Sequence, residues 1–400
     1  MESRRHRKAG RNVLNRSVLL VGNVLFVAML GSNLPAPLYE LYRVAFGAST
    51  FAMTIVFAAY PLALVATLFA FARLPDAIGR RPVLALGVAF AALGSIVFVF
   101  AHGIPELIAG RLCSAVAIGA IGAAGPPALV ELDAARDRRR AALVATFALS
   151  LACGVAPFVS GILAVSSPAP FVLPYAIHLV LCALALASLA LVPETRRPVA
   201  RGAPAAPRLG GPALRAFVGA MLTSGIVWWL ASLFVSILPA FVGALLGARS
   251  PALQGGLALI VFVVSPLAQT FGRGISDRAA ARAGLVGTVL ALAALLGAVP
   301  ARSLVLFAFG SVVAGATHGL GFLGAQSLVN RVAPAAARAR LSATFYAVTY
   351  ICIGLPILAV GALTAPLGLY TALAAVAAAV AFAALALCAA LPKSVPAAES

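Results

Sequence analysis

The side chains that could do chemistry in this chain are few, and they lie singly within or beside long apolar segments. Arg111 is the only basic residue well inside such a segment, and His318 stands in the middle of another. Two acidic residues, Glu40 and Glu106, lie near segment ends. A histidine changes charge between about pH 5 and 8, and a buried guanidinium needs a partner, such as a carboxylate that it keeps ionised. These residues indicate proton transfer and binding, because no cluster of His, Asp or Glu marks an enzyme site.

Cofactor and metal sites are also missing from the sequence. The five cysteines all lie in apolar segments, and none belongs to a Cys-x-x-Cys pair or stands at ligand spacing from a histidine. A nucleotide-binding Walker loop is absent, so ATP is not the energy source within this chain. We therefore predict no cofactor, no metal ion and no enzyme activity, with an integral-membrane enzyme as a remote alternative.

The composition places the chain in a lipid bilayer. Of the 400 residues, 63% are apolar and only 10% are charged, and the mean hydropathy is +1.07. A soluble fold needs about 25% charged residues to cover its surface, and a disordered chain needs low hydrophobicity. The 29 basic residues exceed the 10 acidic ones, but they form short clusters between apolar segments, which argues against a nucleic-acid partner.

Twelve uncharged apolar segments have the length of about 20 residues that a membrane-spanning helix needs. They are continuously apolar, without the alternation of barrel strands, so we predict an all-α integral membrane protein. The predicted helices are 17–39, 51–72, 82–101, 105–129, 141–165, 171–192, 214–242, 254–275, 283–300, 303–327, 341–363 and 366–391.

The basic residues orient these helices. With the N-terminus inside, 25 of the 29 basic residues fall on the inner side and only Arg43, Arg249 and Arg302 on the outer side. Basic loops stay on the cytoplasmic side of a membrane. We therefore expect a multi-pass protein of a bacterial-type inner membrane, with both termini cytoplasmic.

A linker rich in Pro, Gly and Arg divides the helices six and six. The predicted parts are a basic tail 1–16, an N-terminal bundle 17–192, a linker 193–213, a C-terminal bundle 214–391 and a tail 392–400. The halves repeat: Asp76 and Arg81 after helix 2 match Asp277 and Arg282 after helix 8, each displaced by 201 residues. A parallel repeat of this kind is a known transporter plan.

The loop after helix 2 carries a family signature. It reads Ala-Arg-Leu-Pro-Asp-Ala-Ile-Gly-Arg-Arg from residue 72, which resembles the Gly-x-Leu-x-Asp-Arg-x-Gly-Arg-Arg loop of the major facilitator superfamily at Asp76, Gly79, Arg80 and Arg81. Alanines replace the first glycine and the arginine after the aspartate. The second copy keeps Asp277, Arg278 and Arg282. The resemblance covers essentially the whole chain and implies two six-helix bundles that rock about a central site.

Asp76 is the gating candidate in this loop. A carboxylate at the membrane boundary needs a partner, and a helix N-terminus offers free N–H groups and partial positive charge. The resemblance implies that this partner is the inner end of helix 11, near residues 340–342, and that the contact forms only when the cytoplasmic side is shut. The alternative is an ordinary solvated charge in a turn.

Helix 5 resembles the antiporter motif of the same family. Gly154, Pro157 and Gly161 occupy motif positions, while Ala156 and Ser160 replace two glycines. The resemblance implies export, as does the proline-rich end of helix 1. The alternative is that these small residues only allow two helices to approach closely.

The resemblance also selects the residues that face the cavity. Arg111 matches an arginine of a helix 4 motif, and helices 1, 4, 7 and 10 line the cavity, which implies Asn23, Asn33, Trp228, Trp229 and His318. Neighbouring helix positions point about 100° apart, so we expect one of the two tryptophans to reach the cavity. For the proton we favour His318 over Glu40 and Glu106, which Arg111 could hold ionised.

These features together predict a secondary active transporter of alternating access. We expect a monomer that exports small amphipathic compounds, neutral or weakly anionic because no carboxylate lies mid-helix, in exchange for protons. The alternative within this class is an importer of a small metabolite such as a sugar.

Overall fold

The computed structural model describes residues 16–133, 138–195, 209–237, 250–334 and 337–392. The predicted tails, except residues 16 and 392, and most of the linker 193–213 lie outside these residues. In the described part all regular structure is helical. We label the spanning helices α1 Arg16–Asn33, α2 Thr50–Phe71, α3 Arg80–Val99, α4 Ile104–Leu132, α5 Arg138–Ser166, α6 Leu173–Leu189, α7 Gly211–Ser236, α8 Pro251–Phe271, α9 Asp277–Ala298, α10 Leu304–Val332, α11 Arg338–Leu367 and α12 Leu369–Ala390.

The helices have the length and composition of membrane spans. Among the described residues, eleven spans are long and apolar enough to cross a bilayer, and α6 is a shorter apolar helix of 17 residues. Together they confirm the prediction of twelve helices in an all-α membrane fold.

Two predicted helix boundaries differ from the structure for identifiable reasons. The first predicted helix, 17–39, is interrupted after Asn33, where Pro35 and Pro37 lead into a 3-10 turn Ala36–Leu38 and a short helix Tyr39–Ala45. Proline has no N–H to continue the helical ladder. Helix α9 begins at Asp277 and not at 283, because the Ser276 hydroxyl accepts a hydrogen bond from the Ala279 N–H at 3.4 Å and caps the helix.

The helices form two six-helix bundles. In the first bundle α1 packs on α4, α5 and α6, and α3 packs on α4 and α6. In the second bundle α7 packs on α10 and α11, and α9 packs on α10 and α12. Two helix pairs join the bundles along their length, namely α5 with α8 and α2 with α11. The remaining space between the bundles is where a transported molecule would sit.

Candidate functional site

The two bundles meet tightly at one end of the molecule. We call the helix ends at Arg80, Arg81 and Arg278 the basic end, and the ends near Gly103 and Ser166 the opposite end. Toward the opposite end, two glycines of the interface have no room for a side chain. Gly161 of α5 packs against α8, and Gly361 of α11 packs against α2. A Cβ on Gly161 would clash with the Pro251 carbonyl oxygen, and one on Gly361 would clash with the Thr54 hydroxyl. The described contacts therefore close the interface at the opposite end.

The interface is open at the basic end. Helix α1 packs against the other helices of its own bundle. Its remaining face carries Leu19, which is 51% exposed, and Asn23, which lies one turn further on and is also exposed. On α7, Leu214 is 46% exposed and Leu222 is 39% exposed. The halves of α1 and α7 that lie toward the opposite end are buried almost throughout. Among the described residues, the interface is therefore closely packed toward the opposite end and less buried at the basic end. We interpret this less buried region as the mouth of a cavity between the bundles.

Arg111 of α4 lies buried against α1 and α2, with only 2% of its surface exposed. Its terminal nitrogen donates a hydrogen bond to the Ser32 carbonyl oxygen at 2.5 Å. The guanidinium carbon lies 4.5 Å from the ring centre of Tyr60 and 5.6 Å from that of Phe57. Such cation–π contacts and a carbonyl partner stabilise the guanidinium without neutralising its charge.

Glu40 and Glu106, the carboxylates that Arg111 could hold ionised, are not its described partners in this structure. Glu40 forms an ion pair with Arg43 at 2.8 Å, three residues further along the same short helix. That pairing is local and needs no long-range contact, which favours it. Glu106 lies in the first turn of α4 at the opposite end. Within the described ranges, Arg111 has no carboxylate in ion-pair contact.

An aromatic cluster surrounds His318 in the second bundle. The Trp228 ring meets the imidazole edge-on, with ring centres 4.3 Å apart, and the Phe322 ring stacks on it at 6.0 Å. The His318 Nδ1 atom and the Ser265 hydroxyl are hydrogen-bonded at 2.7 Å, while Nε2 has no partner among the described residues. Trp228 is half-buried, whereas Trp229 is 1% exposed and packs into the hydrophobic core.

The two candidate asparagines on α1 differ in environment. Asn23 is exposed on the face of α1 that borders the cavity. Asn33 is half-buried, and its amide donates hydrogen bonds to the Met29 carbonyl oxygen at 3.0 Å and the Ser32 hydroxyl at 3.1 Å. Asn33 therefore stabilises the end of α1, next to the carbonyl group that holds Arg111.

The loop between α2 and α3 forms a charge network at the basic end. Arg80, only 8% exposed, contacts Asp76 at 2.5 Å and Glu131 of α4 at 3.3 Å. Glu194, after α6, accepts hydrogen bonds from the backbone N–H groups of Arg80 at 2.8 Å and Arg81 at 3.1 Å. Its carboxylate thereby caps the N-terminus of α3 and ties the end of the first bundle to this loop.

No contact between Asp76 and α11 is seen among the side chains that the structure describes. Its described ion pair is with Arg80, four residues along the same loop. The expected contact with residues 340–342 belongs to a conformation that is shut at the basic end. It therefore stays a prediction.

The second copy of the motif uses different partners at the same place in the fold. Asp277 pairs with Arg331 at the end of α10, with the two atoms 2.5 Å apart. Arg278 and Arg282 donate hydrogen bonds to the carbonyl oxygens of Leu391 and Cys388, each at 3.1 Å. These two arginines cap the C-terminus of α12, where cations are favoured.

The motif residues of α5 lie against α8. A Cβ on Gly154 would be 3.1 Å from the Phe262 side chain, and the Pro157 carbonyl oxygen fills the space beside Gly255. With Gly161 against Pro251, the motif gives a backbone-to-backbone contact between the bundles. This contact explains the small residues and leaves the direction of transport open.

The sequence reasoning did not single out four residues that contact the candidate residues, namely Glu131, Glu194, Ser265 and Arg331. Their partners are far away in the chain; Glu194 lies 114 residues from Arg80 and Ser265 lies 53 from His318. The one available signal was that Glu131, Glu194 and Arg331 are charged residues placed at helix ends. Of these, only Arg331 entered the count of basic residues that oriented the helices, and none of the three was assigned a partner.

Known proteins share this architecture. The sequence profile of the Major Facilitator Superfamily matches residues 21–283. An uncharacterised transporter of Schizosaccharomyces pombe is 27% identical over 153 residues, which span 38% of this chain and only 31% of the relative's length. The inward-open structure of the xylose transporter XylE from E. coli superposes with a TM-score of 0.77 at 14% identity, over 94% of this chain and 96% of XylE.

A POT family transporter solved with 5-aminolevulinic acid has a TM-score of 0.76 at 12% identity, over 94% of this chain and 96% of that one. Identities this low show a shared fold and nothing of the substrate. The profile match covers well over half of the chain, and the two bundles with their central cavity agree with it. This chain belongs to the major facilitator superfamily of transporters.

Proposed function

We propose that this chain is a proton-coupled exporter that moves small amphipathic compounds, neutral or weakly anionic, across a bacterial-type inner membrane. It works as a monomer with both termini in the cytoplasm and rocks its bundles about the cavity. The observation that supports this proposal is that, among the described residues, the bundles pack closely toward the opposite end and leave side chains of α1 and α7 exposed at the basic end. Basic ends face the cytoplasm, so this conformation loads from the cytoplasm.

The lining of the cavity supports the substrate class. The described side chains in this region include the rings of Tyr60, Trp228 and Phe322, and the buried cation Arg111 lies beside Tyr60. The described carboxylates lie in loops or near helix ends, and Glu40, which follows Tyr39, is paired with Arg43. An organic cation would find no counter-charge there, whereas an apolar body finds large rings to pack against.

The proposed direction of transport rests on the match between helix α5 and the antiporter motif. Gly154, Pro157 and Gly161 match the antiporter motif and lie at the α5–α8 contact that closes the opposite end. An exporter must open this contact to release its substrate. The xylose and peptide transporters of similar fold do not bear on direction at their low identity.

Transport assays on everted membrane vesicles test the proposal. Vesicles that contain the protein should accumulate fluorescent amphipathic compounds when an inward-acid pH gradient is imposed, and should lose them when the gradient is collapsed. Accumulation in right-side-out cells with no efflux would establish the importer instead.

His318 is the proposed proton carrier, because its Nε2 atom is free of protein partners beside Trp228. The His318→Gln variant should bind substrate but lose the dependence of transport on the pH gradient. His102→Gln, on an exposed loop, is the matched control and should behave as wild type. If His318→Gln still responds to the gradient while Glu40→Gln or Glu106→Gln does not, the carboxylates carry the proton.

A further inference from the structure

The charge of Arg111 is not neutralised by the protein. Its side chain is 2% exposed, and its described contacts are the Ser32 carbonyl oxygen and the rings of Tyr60 and Phe57. A buried cation without a counter-ion is costly, and proteins rarely keep one without a use for it. The guanidinium also has an unused donor, because its Nε atom has no hydrogen-bond partner among the described residues.

A second unused donor lies in the same neighbourhood. The Tyr39 hydroxyl is buried and has no partner within the described ranges, and Tyr39 is only 4% exposed. Its ring packs edge-on against Phe57, the ring beneath Arg111, with centres 6.3 Å apart. Buried donors of this kind are normally satisfied, so two of them together point to an absent acceptor.

The side chains around Arg111 indicate the charge and the shape of the missing acceptor. The groups around Arg111 are neutral, so one guanidinium and one hydroxyl match a single negative charge. The rings of Phe57, Tyr60 and Tyr350 lie alongside, with Tyr60 and Tyr350 centres 6.4 Å apart across the α2–α11 contact. Tyr60 lies between Arg111 and the facing bundle, so an anion reaches the guanidinium when this half-buried ring turns aside.

We propose that Arg111 and Tyr39 form an anion subsite of the cavity, and that it takes the carboxylate of an aromatic or apolar monoacid. This inference rests on the proposed transport function and narrows its substrate class from amphipathic compounds to arylcarboxylates. The carboxylate accepts hydrogen bonds from the guanidinium and the hydroxyl, and the ring of the acid packs against the aromatic side chains.

Binding to the purified full-length chain in nanodiscs tests the proposal without any assumption about coupling or direction. The probes are benzoate and 1-naphthoate, with benzamide and 1-naphthamide as neutral partners of the same shape. Thermal unfolding and tryptophan fluorescence report binding, since the chain has only two tryptophans. The wild type should be stabilised by the carboxylates and not by the amides.

The variants locate the site. Arg111→Gln should weaken carboxylate binding by about ten- to a hundredfold, as expected for a hydrogen bond to a charged group. Arg111→Lys should keep part of the affinity, and Tyr39→Phe should weaken binding less than Arg111→Gln does. Arg302→Gln removes the same charge from an exposed turn at the opposite end and should change nothing. If Arg111→Gln does not fold, the comparison of acid with amide and the Tyr39→Phe variant still decide.

Three results would overturn the inference: amides that bind as well as acids, no probe that binds, or chloride alone giving the same stabilisation. Vesicle transport separates this failure from that of the proposed function. If the vesicles export neutral amphipathic compounds while carboxylates fail to bind, transport stands and the anion subsite falls. If carboxylates bind through Arg111 but nothing is transported, the anion subsite stands and the proposed transport function falls.

Discussion

Gly79 lies where the loop helix Leu74–Ile78 meets α3, and an alanine there should report whether Glu194 holds that junction. The backbone of Gly79 has φ of 108° and ψ of 162°, a conformation that residues with a Cβ rarely adopt. A Cβ would also lie 2.5 Å from the Glu194 Oε2 atom and 2.7 Å from its Cδ atom. Gly79→Ala therefore imposes backbone strain and displaces the carboxylate that caps α3.

The two penalties have different sizes and origins. Backbone strain of this kind costs about 1–3 kcal/mol. Displacing Glu194 removes its hydrogen bonds to the Arg80 and Arg81 N–H groups, which is worth about 1–2 kcal/mol for a helix cap. We expect Gly79→Ala to lower the free energy of unfolding by roughly 2–5 kcal/mol.

In a Glu194→Ala background the cap is already lost and the carboxylate is no longer in the way. Gly79→Ala should then cost only the strain, so the double variant should be about 1–2 kcal/mol more stable than the sum of the single effects implies. Unfolding in mixed micelles, followed by circular dichroism, measures all four proteins.

Gly368→Ala is the matched control, because Gly368 has φ of 76° and nothing lies within 4 Å of a Cβ there. It should cost strain alone, by the same amount with or without Glu194. Additive effects for Gly79→Ala and Glu194→Ala would refute the reasoning, because they would mean that the carboxylate does not occupy the space beside Gly79.

The remaining predictions concern the conformational equilibrium and the topology. If Asp76 docks on α11 in the shut conformation, Asp76→Asn should abolish most transport with normal insertion, and a cysteine introduced by Asn23→Cys should react several-fold faster with a thiol reagent. Unchanged reactivity and full transport would return Asp76 to the role of a solvated turn charge. Reporter fusions should all indicate the outside when placed after residues 48, 103, 168, 250, 302 and 365. Cytoplasmic activity at two or more of these fusions would contradict the twelve-helix topology.

The fold could be predicted from the sequence because bilayer physics constrains it strongly. An apolar segment of spanning length must be helical, so the number of helices followed from composition alone. The boundaries were less predictable where polar residues take part in the helix. The segment scan stopped short of Asp277 because it excluded charged residues, yet Arg278 and Arg282 lie inside α9 with partners on α12.

The site was harder to predict because its partners come from distant parts of the chain. Burial of Arg111 inside a helix was evident from its apolar neighbours, but the choice between Glu40 and a carbonyl group as its partner was not. His178 is a second residue whose partners could not be predicted from the sequence. In the structure its two ring nitrogens bond to Ser95 at 2.7 Å and to the Val27 carbonyl oxygen at 2.9 Å, and its sequence neighbours give no sign of either partner.

The two halves keep the same connection with the charges exchanged. In the first half a cation on α3, Arg80, meets an anion at the end of α4, Glu131. In the second half an anion on α9, Asp277, meets a cation at the end of α10, Arg331. What the fold requires at this place is that two helix ends attract each other, and either arrangement of signs satisfies it.

A comparison of the halves by residue identity therefore finds Asp76 opposite Asp277 but misses the shared connection. The environments of the two pairs also differ. The Arg80 side chain is 9% exposed and Glu131 14%, whereas Arg331 is 51% exposed. Removing one member of a buried pair leaves a charge without a partner, while an exposed pair contributes little. The first half therefore carries the stronger connection, and it is the half in which Glu194 adds a third carboxylate to the same loop.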